Sequence, residues 1–238
     1  MSRFVRVRRT PALFVLACII IGCGDAERKS SPPGDGAPGA SADAPAAPAG
    51  EKKTVLFVGT SLTAAYGLDP DLGFPARVQE KIDSAGLPWE AVNAGVSGET
   101  SRDARARMGW LLGQDFDVMV LETGANDMLR GTSLASLRQN LQAIIDTVRQ
   151  AKPGTTIVLV GMLAPPNLGP EYTRDFEAVY RETAEKNGLP LIPFLLDGVG
   201  GHPELNLGDG MHPNERGQRV VAQNVWKVLE PVLRKETP

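Results

Sequence analysis

The 238-residue chain has only two histidines, His202 and His212, and one follows an acid at a spacing suited to proton transfer. His212 stands in Gly208-Asp209-Gly210-Met211-His212-Pro213-Asn214, so Asp209 lies three residues before it. The residue before a proline is biased to extended backbone, and an apolar helical periodicity begins shortly afterwards. His212 is therefore expected in a loop just before a helix, where Asp209 can turn back to one ring nitrogen. The other nitrogen is then free to take a proton. A serine hydroxyl is a poor nucleophile until a base does this and a third group orients that base. The candidate serine is Ser61, in Phe57-Val-Gly-Thr-Ser-Leu-Thr63, two residues past the glycine that ends an apolar run. His202, in Gly200-Gly201-His202-Pro203, has no acid at comparable spacing and reads as a loop residue.

Attack on an acyl carbon creates an oxyanion, and each donor aimed at it is worth roughly 10²–10³ in rate. Backbone N–H groups at glycine-containing turns and an asparagine side chain suit the task. Two stretches supply them: Asn93-Ala-Gly-Val-Ser-Gly98-Glu-Thr-Ser101 and Thr123-Gly124-Ala125-Asn126-Asp127. Taken singly, Gly98 is an ordinary helix-entry glycine and Asn126 an ordinary turn former.

These residues need elements that bring them to one place. Beyond Lys52 short β-rich runs alternate with longer helical ones. The expected strands are Thr54–Val58, Glu90–Asn93, Val118–Leu121, Thr156–Val160 and Pro190–Pro193. Three are almost wholly apolar, as strands buried on both faces should be. Leu137, Leu141, Ile144, Ile145 and Val148 share one helical face, with Thr132 or Ser133 as N-cap. Val221, Val225, Val228, Leu229 and Val232 repeat that spacing near the end, and less regular helices fit Pro75–Ala85, Arg102–Leu112 and Tyr172–Lys186. Such alternation implies parallel strands, right-handed crossovers and helices on both faces. Ligands then bind beyond the carboxyl ends of the strands, where Ser61 leaves the first of them.

Four blocks in order carry a family resemblance: Gly-x-Ser-Leu at Ser61, Ser-Gly-Glu-Thr at Gly98, Gly-x-Asn-Asp at Asn126, and Asp-x-x-His at Asp209 and His212. They resemble the SGNH (GDSL) hydrolases. The stretches "NAGVSGETS", "ETGANDMLRG", "LPLIPF" and "DGMHPN" are similar to its branch of arylesterases, acyl thioesterases and lysophospholipases. The resemblance runs from about Thr54 to Leu233. It implies a three-layer α/β/α, flavodoxin-like fold around a five-stranded parallel sheet. It also implies a serine carboxylic-ester hydrolase that works through an acyl-enzyme without cofactor or metal. By position, Ser61 resembles the nucleophile and Asp209 and His212 the rest of the triad. The Ser61 N–H, the Gly98 N–H and the Asn126 amide resemble the oxyanion hole. The segments Met128–Gly131 and Met162–Gly169 correspond to loops that shape the acyl site. One position departs from the pattern: Thr60 stands where the family usually has Asp, bringing no charge. A carbohydrate O-deacetylase would use the same fold and site, against which three Trp and three Tyr leave little for sugar stacking. A weakly active envelope lipoprotein that binds acyl groups is the other alternative, favoured only by Thr60.

The remaining sequence bears on location. Arg3, Arg6, Arg8 and Arg9 precede the apolar run Ala12–Gly22, which ends at Cys23. A positive region followed by so short an apolar stretch reads as a secretory signal over residues 1–22, too short to span a bilayer. Ile20-Ile21-Gly22-Cys23 resembles the bacterial lipobox, whose cysteine is diacylated, and multiple acyl chains anchor stably. Residues 23–52 are rich in Ala, Pro, Gly and Ser and read as a disordered tether, leaving 53–236 as the hydrolase domain. The expected location is the cell envelope, facing the periplasm or the exterior. Cys18 falls within the signal, so the folded domain is expected without thiols or disulfides. Formal net charge is −3, and without the four arginines 21 basic side chains face 28 acidic ones, a balance of −7. Such a surface does not attract phosphate backbones, so nucleic acid is not an expected partner. The expected partners are a small-molecule or lipid ester and, through Cys23, a membrane; the domain is expected to be a monomer.

Overall fold

The computed structural model describes residues 52–237. The signal segment, Cys23 and nearly all of the tether lie outside the described residues. Five strands, β1 (Lys53–Gly59), β2 (Trp89–Gly95), β3 (Val118–Glu122), β4 (Thr156–Val160) and β5 (Leu191–Ile192), form one parallel sheet in the order β2-β1-β3-β4-β5. Residues 55–58 of β1 and all of β3 are buried, which requires cover on both faces of the sheet. That cover comes from α1 (Phe74–Ser84), α2 (Ser101–Ala106), α3 (Met108–Leu111), α4 (Ala125–Leu129), α5 (Leu134–Ala151), α6 (Pro170–Asn187) and α7 (Glu215–Glu236). α1 packs with α7, while α2, α5 and α6 form a second group. The expected α/β class with a five-stranded parallel sheet is what the chain adopts.

The strands fall within a residue or two of their expected bounds. β1 and β2 run longer because they pair along their whole length, from Lys53 with Trp89 to Gly59 with Gly95. β5 is shorter, pairing only Leu191 and Ile192 with β4. α5 starts at the expected cap, the Ser133 side chain accepting from the Ser136 N–H. The helix expected over Arg102–Leu112 is instead two, α2 and α3, broken at Arg107. The Arg107 side chain turns inward there to bond the Glu99 carboxylate and the Ala94 carbonyl. The break and these inward bonds fall on the same residue.

In this strand order the chain goes from β1 to one neighbour and then returns to the other side at β3. The gap between the carboxyl ends of β1 and β3 is thus the switch point, where crossovers diverge and a crevice opens. Ser61 leaves β1 there and Asn126 leaves β3.

Candidate active site

The loop that carries Ser61 is built on close approach. At Gly59 a Cβ would lie 2.0 Å from Thr63 Oγ1 and 2.6 Å from Glu122 Oε2, so only glycine fits. Gly95, at the end of β2, is similarly constrained: a Cβ would come within 2.4 Å of the Ala64 N. The loop then coils tightly, Ala64 N–H donating to Thr60 O and Tyr66 N–H to Ser61 O. Ala65 has φ +58°, the only non-glycine with positive φ among the described residues. Backbone of this kind persists where surroundings over-determine it. Beneath the loop, Thr60 and Thr63 both bond the Glu122 carboxyl.

The second block is stitched to the first and third. Val96 N–H donates to Gly59 O, and Asn93 Nδ2 donates to Thr63 O. Glu99 N–H donates to Val96 O, closing a turn in which Gly98 takes φ +81°. Such a φ suits glycine at the third position of a turn. Arg130 Nη2 donates to the Gly98 carbonyl at 2.6 Å. Asn126 Nδ2 donates to Glu99 O at 2.9 Å, which leaves its second N–H unspent. Asp127, buried, accepts from the Ser101 N–H and hydroxyl and ties α4 to the start of α2. The Ser61 and Gly98 N–H groups donate to no other described residue.

The histidine arrives on an exposed turn. An isolated antiparallel bridge, Asn206 with Pro213, closes the loop before α7, and Leu207 N–H donates to His212 O. Gly210 takes φ +68° at the tip. Asp209 Oδ1 accepts the N–H groups of Met211 and His212 at 2.9 and 3.0 Å. Its Oδ2 stands 2.6 Å from His212 Nδ1. The His212 backbone hydrogen bond, then its ring and the Met211 N–H, pull the Asp209 carboxyl from 3.8 down to about 2. An ionised carboxylate only accepts, so Nδ1 carries the proton and Nε2 is left as acceptor. His212 Nε2 lies 2.9 Å from Ser61 Oγ, across 151 residues of sequence.

The structure therefore brings Ser61, His212 and Asp209 into one hydrogen-bonded chain. It brings Gly98 and Asn126 to the same sheet edge, linked through Glu99. His202 is exposed, 3.4 Å by its Nδ1 from the Glu204 carboxylate, and stands apart as a loop residue. Two neighbours were missed from sequence. Tyr66, half exposed, lays its ring 4.6 Å from the His212 ring at 40°. Glu122 was missed too, although an acid closing the apolar run Val118-Met-Val-Leu-Glu122 is a legible signal. Thr60, which brings no charge, is buried and donates its hydroxyl to Glu122.

Residues 57–220 match the GDSL-like lipase/acylhydrolase family. The chain is 39% identical over 182 residues to "Esterase TesA" of Pseudomonas aeruginosa, covering 76% of this chain and 90% of that protein. It is 33% identical over 185 residues to "Thioesterase 1/protease 1/lysophospholipase L1" of Escherichia coli, covering 77% and 86%. A crystal structure of TesA superimposes with a TM-score of 0.72 at 39% identity, over 76% of this chain and 99% of that one. The chain belongs to the GDSL-like lipase/acylhydrolase family. The expected enzyme class, an SGNH/GDSL hydrolase of ester bonds, stands with it. Within that family the polar cluster between β1 and β3 is the place to look for the chemistry.

Proposed function

We propose that this GDSL-family enzyme is an arylesterase- or lysophospholipase-like serine hydrolase that cleaves small or lipid-derived carboxylic esters through an acyl-enzyme. The observation that carries the reading is the unbroken chain from Ser61 Oγ through both His212 nitrogens to Asp209. His212 Nε2 takes the Ser61 hydroxyl proton as Oγ bonds the acyl carbon. The resulting oxyanion is met by the Ser61 N–H, the Gly98 N–H and the free Asn126 amide proton. Collapse breaks the bond to the alkoxide, which leaves with the proton held on His212. Water then enters, gives its proton to Nε2 and attacks the acyl carbon; the proton returns to Ser61 as the acid departs. Asp209 stays ionised throughout and stabilises the imidazolium.

The acyl preference is part of the same proposal. Leu129, at the end of α4, and Leu168 are both about half exposed, in the two segments assigned to the acyl site. Leu168 also lines a cavity of about 530 Å³ with Leu134, Pro170 and Tyr172. Glu171 and Asp175 line it too and none of the proposed catalytic residues does, so it is not the reaction centre. The envelope location through lipidated Cys23 rests on sequence, and a monomer is the expected state. Cys23→Ser should release the protein from the membrane fraction, and sedimentation should give one chain per particle.

The test is hydrolysis of para-nitrophenyl esters from acetate to palmitate by the wild type and Ser61→Ala. Activity should fall by several orders of magnitude in the variant, as is usual on losing a triad nucleophile. Activity indifferent to Ser61 would refute the mechanism. Hydrolysis of acetylated sugars alone would redirect it to the deacetylase reading.

A further inference from the structure

The buried acids beside the site are served differently. Glu99 is paired with Arg107, and Asp127 is held by Ser101. Glu122 has no cation partner among the described residues, although it is only 1% exposed. Every hydrogen bond its carboxyl accepts comes from the loop carrying Ser61. The Thr60 N–H donates to Oε2 at 2.7 Å, and Thr60 Oγ1 stands 3.0 Å from both oxygens. Thr63 Oγ1 donates to Oε2 at 2.9 Å. The missing side chain of Gly59 lets the same oxygen approach the backbone. Residues 59, 60 and 63 thus rest on one carboxyl, and Ser61 sits between them.

Burying a carboxyl without a cation carries a desolvation penalty, and an apolar residue would continue the strand at no such cost. The acid is explained by what its acceptors hold. We propose that Glu122 is a positioning residue: its carboxyl fixes Thr60 and Thr63, and through them aims both the Oγ and the N–H of Ser61. The proposal rests on the reading of Ser61 as nucleophile. Burial pushes the Glu122 carboxyl upward while the Thr60 and Thr63 hydrogen bonds oppose that rise. A protonated carboxyl accepts from the Thr60 N–H and can donate to a threonine hydroxyl. Glutamine can reproduce that pattern and alanine cannot.

The experiment compares full-length wild type, Glu122→Gln, Glu122→Ala and the double variant Thr60→Val/Thr63→Val on para-nitrophenyl butyrate. Misaiming a reacting atom by about 1 Å costs about 10²-fold in rate while the substrate still docks. Glu122→Ala should therefore lose about ten- to a hundredfold in kcat with KM within about twofold, and Glu122→Gln should stay within about threefold of wild type. If Glu122→Ala does not fold by circular dichroism, the double variant reads the same contact. It keeps the volume and removes two donors, and about a tenfold loss in kcat is expected. Wild-type kcat in folded Glu122→Ala, or in the double variant where that protein does not fold, overturns the proposal. So does a loss carried by KM. Ser61→Ala is measured alongside: activity surviving there condemns the nucleophile reading, whereas inactive Ser61→Ala beside fully active Glu122→Ala condemns the positioning role alone.

Discussion

Ser61 Oγ and His212 Nε2 stand 2.9 Å apart, yet the chain holds the two residues by different means. The serine loop is clamped from below and from the side: by Glu122 on β3, by Gly95 and Asn93 on β2, and by its own tight coil. Glu122 is buried, and all three supports come from strands that are distant in sequence. The histidine loop is supported mostly by itself. Asp209 is an exposed turn residue whose two oxygens serve residues two and three positions on. One partner is thus positioned by the core and the other by a local turn. Damage to the first should appear in folding as well as rate, and damage to the second in rate alone.

The sharpest break of this comparison is Asp209→Asn. The amide no longer fixes the Nδ1 proton, so kcat should fall by about 10³- to 10⁴-fold. Because the side chain is two-fifths exposed, the melting temperature should move little, and differential scanning calorimetry checks this. Gly95→Ala should do the opposite. Its new methyl meets the Ala64 backbone at 2.4 Å, which cannot yield as a flexible side chain would. Overpacking of this kind costs about 1–3 kcal/mol, read as a lower denaturation midpoint, with activity falling as the loop shifts.

Acid and alkali separate the two supports further. Asp209 is lowered to about 2, so its contribution to the folded turn is fully present above its ordinary value of 3.8 and is lost as pH falls from there through about 2. Its carboxyl carbon resonance should titrate there. Glu122 is shifted upward, so the stability linked to its proton is present below its ordinary value of 4.5 and is lost as pH rises through the raised one. Thr60→Asp would set a second carboxyl where Thr60 Oγ1 now lies 3.0 Å from both Glu122 oxygens. Like charges so close cannot both ionise, so the variant's deficit in melting temperature should widen from pH 5 to pH 9. Restoring the family's usual Asp is therefore not expected to be a simple gain. Smallest of all, Tyr66→Ala should change kcat/KM by no more than about threefold, since the half-exposed ring touches His212 without bonding it.

The same contrast explains what the sequence disclosed. The Asp209–His212 pair lies within one turn, so spacing alone exposes it, and the strand ends that carry Ser61, Gly98 and Asn126 follow from apolar runs. The Glu122 clamp joins residues about 60 apart in sequence, and nothing local to Thr60 announces it. The break at Arg107 was hidden for a like reason: helical spacing continues through it, and the bonds to Glu99 and Ala94 that fall on the same residue are not part of that spacing. Tyr66 reaches His212 only because the loop after β1 coils back on itself, a path no periodicity encodes.

The most direct test of the central claim is to treat the full-length protein with a fluorophosphonate and map the adduct by peptide mass spectrometry. One phosphonyl group per chain on Ser61, absent in Ser61→Ala and strongly slowed in His212→Ala, is the predicted result. Labelling of another residue, or an unlabelled protein that still hydrolyses esters, would contradict the account.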